Sequence, residues 1–87
     1  MEKKNKGDIY KAFANESRVQ LLLCLSQAQS VTELLTHCTL SQSALSQHLK
    51  ILKNAGIVVC ERDGKQQIYK IINKKVLQIA KSLREFK

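Results

Sequence analysis

Proline and tryptophan are absent from this 87-residue chain, and glycine occurs only three times. With no repeat and no low-complexity segment, nothing marks a linker between domains. A single domain over residues 1–87 is expected, led by a flexible segment at 1–7. Long apolar runs are also missing. The longest, Leu21-Leu22-Leu23-Cys24-Leu25, is far short of the roughly 18 residues that span a bilayer, and the N-terminus carries no apolar stretch of the signal-peptide kind. The expectation is a cytoplasmic protein with no membrane partner. Aromatics are scarce, and Tyr10, Phe13, Tyr69 and Phe86 are too scattered for a base-stacking platform of the single-strand type. The three cysteines, Cys24, Cys38 and Cys60, are odd in number and lack CxxC spacing. That excludes a disulfide framework and a zinc module, and fits a reducing compartment. No Ser/His/Asp arrangement, phosphate loop, paired carboxylates or metal motif is present, so an enzyme is not expected, nor a cofactor or bound metal.

Acidic residues are the most informative scarcity. Lys and Arg number 15 against 7 Asp and Glu, for a net charge of +8. No acid lies between Glu33 and Glu61, while His37, His48, Lys50 and Lys53 fall in that gap. A surface free of carboxylates is what close approach to phosphates requires.

Apolar spacing and capping residues order the chain. A short helix is expected at about 8–14, with Ile9, Tyr10 and Phe13 apolar, and a second at about 16–27 after Asn15. Ser30-Val31-Thr32-Glu33 has the form of a capping box and starts a third helix through about His37. Ser41 caps a fourth, about 42–55, with Leu45, Leu49 and Leu52 inward and Gly56 at its left-handed end. The period then changes to two. Val58-Val59-Cys60-Glu61-Arg62 and Lys65-Gln66-Gln67-Ile68-Tyr69-Lys70-Ile71-Ile72 flank Asp63-Gly64, which reads as a hairpin turning on that dipeptide. Asn73 caps a last helix, about 74–86. The fold class is therefore mainly α with a β-hairpin: a winged helix-turn-helix, in the order α-α-α-α-β-β-α.

The outer face of the fourth helix carries Gln42, Ser43, Ser46, Gln47, Lys50 and Asn54 and no acid at all. An ordinary solvated helix mixes both signs. Glutamine can bond adenine bidentately, serine can meet base or phosphate, and lysine can reach guanine or phosphate. This is the composition of a major-groove recognition helix. With Ser41 at its cap and Lys53 near its end, it supplies most of the expected DNA contacts. His48 lies between the core stripe and the outer face, where its ring either packs or touches a phosphate. Arg62, Lys65 and Gln66 at the hairpin tip supply the contacts of a wing.

The stretch Leu40-Ser41-Gln42-Ser43-Ala44-Leu45-Ser46-Gln47-His48-Leu49-Lys50-Ile51-Leu52-Lys53-Asn54-Ala55-Gly56-Ile57-Val58 resembles the signature of ArsR/SmtB-type repressors. Ala12-Phe13-Ala14-Asn15-Glu16-Ser17-Arg18 is similar to that family's entry to its second helix, and Arg62-Asp63-Gly64-Lys65-Gln66-Gln67-Ile68-Tyr69 to its wing. The resemblance covers nearly the whole chain. It implies a sequence-specific, homodimeric repressor that binds double-stranded DNA and is relieved by a ligand. Gln42, Ser43, Ser46 and Gln47 would be the base readers. The family's first and last helices pair, which here means Ile9, Tyr10, Phe13, Val76, Leu77, Ile79, Ala80, Leu83 and Phe86. Two recognition helices about 34 Å apart would then call for an imperfect inverted-repeat operator.

The family's sensing sites are not reproduced. Its Cys-Val-Cys metal triplet is Ser30-Val31-Thr32 here, and residues 73–87 hold no His, Cys or Asp. Sulfur- and oxidation-responsive relatives pair a cysteine of the second helix with one of the last; Cys24 sits near the first position, without that partner. Cys24, Cys38 and Cys60 are still the candidate redox residues, Cys38 above all, because it precedes the recognition helix. The alternatives are a winged helix that binds protein or binds DNA without specificity, or a thiol-responsive repressor. A basic amphipathic membrane helix, from Lys74, Lys75, Lys81 and Arg84, accounts less well for the apolar residues of the last helix.

Overall fold

The computed structural model describes residues 6–86, so most of the segment expected to be flexible, residues 1–7, lies outside the described residues. The elements run α1 (Lys6–Phe13), α2 (Glu16–Cys24), β1 (Gln29–Ser30), α3 (Val31–His37), α4 (Gln42–Asn54), β2 (Val58–Asp63), β3 (Gln66–Ile71) and α5 (Lys74–Glu85). All five expected helices and the hairpin are present, with one added strand.

The helix starts follow from side-chain capping. Asn15 Oδ1 accepts from the N–H groups of Ser17 and Arg18 at the head of α2. At α3, Ser30 Oγ accepts from Glu33 N–H at 3.1 Å and Glu33 Oε1 accepts from Ser30 N–H at 2.8 Å, closing the capping box. At the heads of α4 and α5, Ser41 Oγ accepts from Ala44 N–H and Asn73 Oδ1 from Lys75 N–H. At the end of α4, Gly56 takes φ +76°. Ile57 N–H then reaches Leu52 O and Gly56 N–H reaches Lys53 O, the paired bonds of a Schellman ending.

The structure departs from the sequence reading chiefly at the end of α2, at an added strand and at the hairpin turn. Helix α2 stops at Cys24, with Leu25 as its cap, rather than running to Gln27. The chain leaves the helix because Gln29 and Ser30 pair antiparallel with Tyr69 and Ile68 of β3. The hairpin is thus the larger part of a three-stranded sheet of order β1-β3-β2. A two-residue strand has no period to detect, which is why it escapes sequence reading. The turn is also displaced by one residue. Asp63 pairs with Gln66, leaving Gly64-Lys65 as the loop, and Gly64 alone has positive φ, +65°. Glycine first in a two-residue loop is the II′ pattern.

The core is almost wholly aliphatic. Leu21, Leu22 and Leu25 from the end of α2 meet Leu34 of α3, Leu45, Leu49 and Leu52 of α4, Ile57, Val58 and Ala80. Burying each leucine contributes roughly 1.5–3 kcal/mol. This core holds α3 and α4 against α2 and sets the hairpin beside α4.

Candidate nucleic-acid interface

Helix α4 divides into sectors at about 100° per residue. Leu45, Leu49 and Leu52 point into the core. One flank, formed by Gln42, Ser46, Lys50 and Lys53, faces the hairpin across a groove of about 540 Å³. The far wall of that groove carries Arg62, Lys65, Gln66 and Tyr69. Among the described residues, its lining holds four cationic side chains and no carboxylate. The sequence predicted these contacts separately on helix and wing; the fold brings them to the two sides of one channel. Ser43 and Gln47 are exposed on the adjoining outermost sector of α4, outside the groove, and Ser41 is exposed at its N-cap.

The wing's own acids are handled locally. Glu61 Oε1 accepts from Lys70 Nζ at 3.2 Å, across the hairpin and away from the groove lining. Asp63 closes the ladder beside the turn. Tyr69 lines the groove, and burial, with a lesser contribution from Cys60, raises its phenol above the ordinary value, so it stays a neutral hydroxyl.

His48 turns the other way. Its Nδ1 lies 3.4 Å from Nη1 of Arg18, so it accepts from a guanidinium that can only donate. Burial, then the neighbouring Arg18 charge, lower its pKa from the ordinary histidine value. His48 is half-buried and does not line the groove. Arg18 was not singled out from the sequence as a site residue, since a lone arginine in a helix reads as solvated. It is only 8% exposed. Its Nη2 donates to Lys11 O at 2.8 Å and its Nε to Ala12 O at 3.3 Å. Its sequence signals were its place three residues after the Asn15 cap and its membership of the stretch 12–18 that resembles the family's entry to its second helix.

The apolar residues expected at a dimer face separate by exposure. Ala80 is fully buried within the chain, and Val76 packs against the core. Tyr10 (68% exposed), Phe86 (83%) and Leu83 (40%) are open, as are Ile9 and Ile79. Phe13, Val19, Leu83 and Phe86 line one hollow of about 380 Å³, so the ends of α1 and α5 share a surface. Leu77 is half-buried. Of the candidate redox residues, Cys60 sits opposite Tyr69 in the sheet, whereas Cys24 and Cys38 come together at the end of α2. Among the described residues, no group of three or more His, Cys, Asp or Glu could hold a metal ion, and no helix is long and apolar enough to cross a membrane.

Known proteins are similar to this chain in sequence and in fold. The sequence model of the bacterial regulatory proteins of the arsR family matches residues 15–59, from the α2 cap into the first wing strand. An HTH-type transcriptional regulator of Methanocaldococcus jannaschii is 35% identical over 98% of this chain and 99% of its own length. The HTH-type transcriptional repressor SmtB of Mycobacterium tuberculosis is 39% identical over 75% of this chain, which spans 49% of that protein. The solved structure of HlyU from Vibrio cholerae superposes with a TM-score of 0.77 at 36% identity, covering 95% of each chain. The chain belongs to the bacterial ArsR family of regulatory proteins, whose members are DNA-binding transcriptional regulators and not enzymes.

Proposed function

We propose that this regulator binds an imperfect inverted-repeat operator as a homodimer, each protomer presenting α4 to the major groove and its wing to the neighbouring backbone. The observation that carries this reading is the channel between helix and wing, lined among the described residues by four cations and no acid. A sugar-phosphate strand lies there when α4 enters the groove. Lys50, Lys53, Arg62 and Lys65 neutralise phosphates, with Gln66 beside them. Ser43 and Gln47, on the outermost sector, reach base edges; Gln42 and Ser46 stand between the two roles. Ser41 positions the helix end, and His48 serves it from behind through Arg18.

The second copy covers the open faces of α1 and α5, with Tyr10, Ile79, Leu83 and Phe86 at its centre. The protein acts in the cytoplasm, where the DNA is, and the family's repressor action follows if the operator overlaps a promoter. HlyU is named a transcriptional activator and is 41% identical over 78% of this chain. In this reading the sign of regulation belongs to operator placement rather than to the fold.

The test is a fluorescence-anisotropy titration of a duplex from upstream of the gene and of a scrambled control, at two salt concentrations. Tighter binding to the upstream duplex, weakened steeply by salt, supports the reading. With four cations per protomer and eight per dimer, full engagement gives a log–log salt slope of roughly −7. No binding to either duplex at either salt overturns it in favour of a protein-binding winged helix.

A further inference from the structure

Helix α2 ends at Cys24, and α3 is closed by Cys38. The Cys38 S–H donates to Cys24 Sγ at 3.1 Å. Both residues are half-buried and line a surface hollow of about 430 Å³, with His37, Thr39, Leu40 and Arg84 around them. A disulfide needs about 2.05 Å between sulfurs, so closure asks for an approach of about 1 Å. Cys60 takes no part, being on β2 beside Tyr69.

We propose that Cys24 and Cys38 are a redox modification site: they form a reversible intramolecular disulfide by exchange with a low-molecular-weight disulfide, and this bond lowers DNA affinity. The second half rests on the DNA-binding reading above. The pairing is not the one implied by the resemblance, because its second sulfur comes from the end of α3 rather than from the last helix.

The chemistry balances without a metal or cofactor. The Cys24 thiolate attacks one sulfur of the small disulfide, forms a mixed disulfide and expels the first small thiolate. Cys38 gives up its proton and attacks Cys24 Sγ, expelling the second. Two protein thiols lose two hydrogens and two electrons, and the small disulfide is reduced to two thiols. Burial is the larger cause, and the bond and charge of Cys24 the lesser, that push the Cys38 thiol up to about 12. Cys38 is therefore the resting donor of the pair.

Only Thr39, Leu40 and Ser41 separate Cys38 from the first residue of α4. Leu40 is packed against the core, so a displacement of Cys38 is not absorbed by slack. Drawing Cys38 toward α2 shifts the Ser41 cap and the head of the recognition helix.

The test uses the Cys60→Ser protein, treated with hydroxyethyl disulfide and then freed of it. The tryptic peptide of residues 19–50 contains both Cys24 and Cys38. It should be two hydrogens lighter and closed to alkylation, in a chain still unlinked on a non-reducing gel. Affinity for the upstream duplex should fall by about tenfold or more, within the usual range of coupling between sites, and return with dithiothreitol. A further Cys38→Ser change should abolish the response. Free thiols or only mixed disulfides in that peptide overturn the proposal, as does a closed disulfide with unchanged affinity. If the reduced protein binds no duplex, the DNA-binding reading and the effect resting on it fail, while the peptide still judges the disulfide.

Discussion

Nη1 of Arg18 lies 3.4 Å from Nδ1 of His48, and through it the entry of α2 is tied to the back of the recognition helix. The same guanidinium closes the C-terminal end of α1 through Lys11 O and Ala12 O. Among the described residues, no carboxylate forms an ion pair with Arg18; its guanidinium meets carbonyls at the negative end of a helix dipole. One side chain therefore sets three helices relative to one another.

Replacing Arg18 by Met should be costly. Lys11 O keeps the Ala14 N–H, but Ala12 O loses its side-chain donor. A buried acceptor left without a partner costs about 1–3 kcal/mol. The urea midpoint should fall accordingly. Arg18→Lys should fall nearly as far, because one ammonium cannot replace a planar fork bonded at three points.

Acid should weaken the same junction. His48 has a pKa below the ordinary histidine value of 6.5 because of burial and then Arg18. Between the lowered folded value and 6.5 the unfolded chain binds more protons, so stability falls as pH drops through that window and is fully present above it. Urea titrations from pH 7.5 to 5 should show this loss. In His48→Gln, which cannot titrate, the loss over that window should shrink; an unchanged pH profile would remove His48 as its source.

Helix and wing should separate in their effects on DNA. Gln47→Ala removes a reader on the outermost sector of α4 and should relax sequence preference, costing about 1–3 kcal/mol on the upstream duplex and little on scrambled DNA. Lys65→Ala should weaken both duplexes alike and reduce the salt slope by about 0.9 for each wing. Equal losses on both DNAs for Gln47→Ala would assign it to the backbone instead.

Leu83 is part of the open α5 face near Phe13 and Phe86. In sedimentation at micromolar concentration the protein should run as a dimer. Leu83→Glu should give a monomer of unchanged helicity, since the residue contributes little to the chain's own core. A wild-type monomer, or a mutant of unaltered mass, would contradict the paired α1–α5 surface.

Much of the molecule was readable because its caps are short-range chemistry. Asn15, Ser30, Ser41 and Asn73 each reach N–H groups within three residues, and Gly56 ends α4 by its own backbone freedom. The polar face of α4 was equally legible, because acid-free composition survives without coordinates. The rest depends on pairs far apart in the chain. Arg18 and His48 are 30 residues apart and Cys24 and Cys38 are 14 apart, so neither contact leaves a periodic trace. The pairing of β1 with β3 was hidden for the same reason, and it drew α2 to an early end. Placing the turn on Asp63-Gly64 rather than Gly64-Lys65 was an error of one residue, since glycine fits either position of a tight loop.

Ser30 belongs to two structures at once: it pairs with Ile68 of the wing and it caps α3, the first helix of the reading unit. The wing is thereby bolted to that unit, and the width of the channel between them is fixed before DNA arrives. A calliper with a set gap cannot follow the duplex, so the duplex must adjust to it. Base steps that nothing touches, beneath the span between helix and wing, should then matter through their stiffness, with pliant pyrimidine–purine steps favoured there over rigid A-tracts.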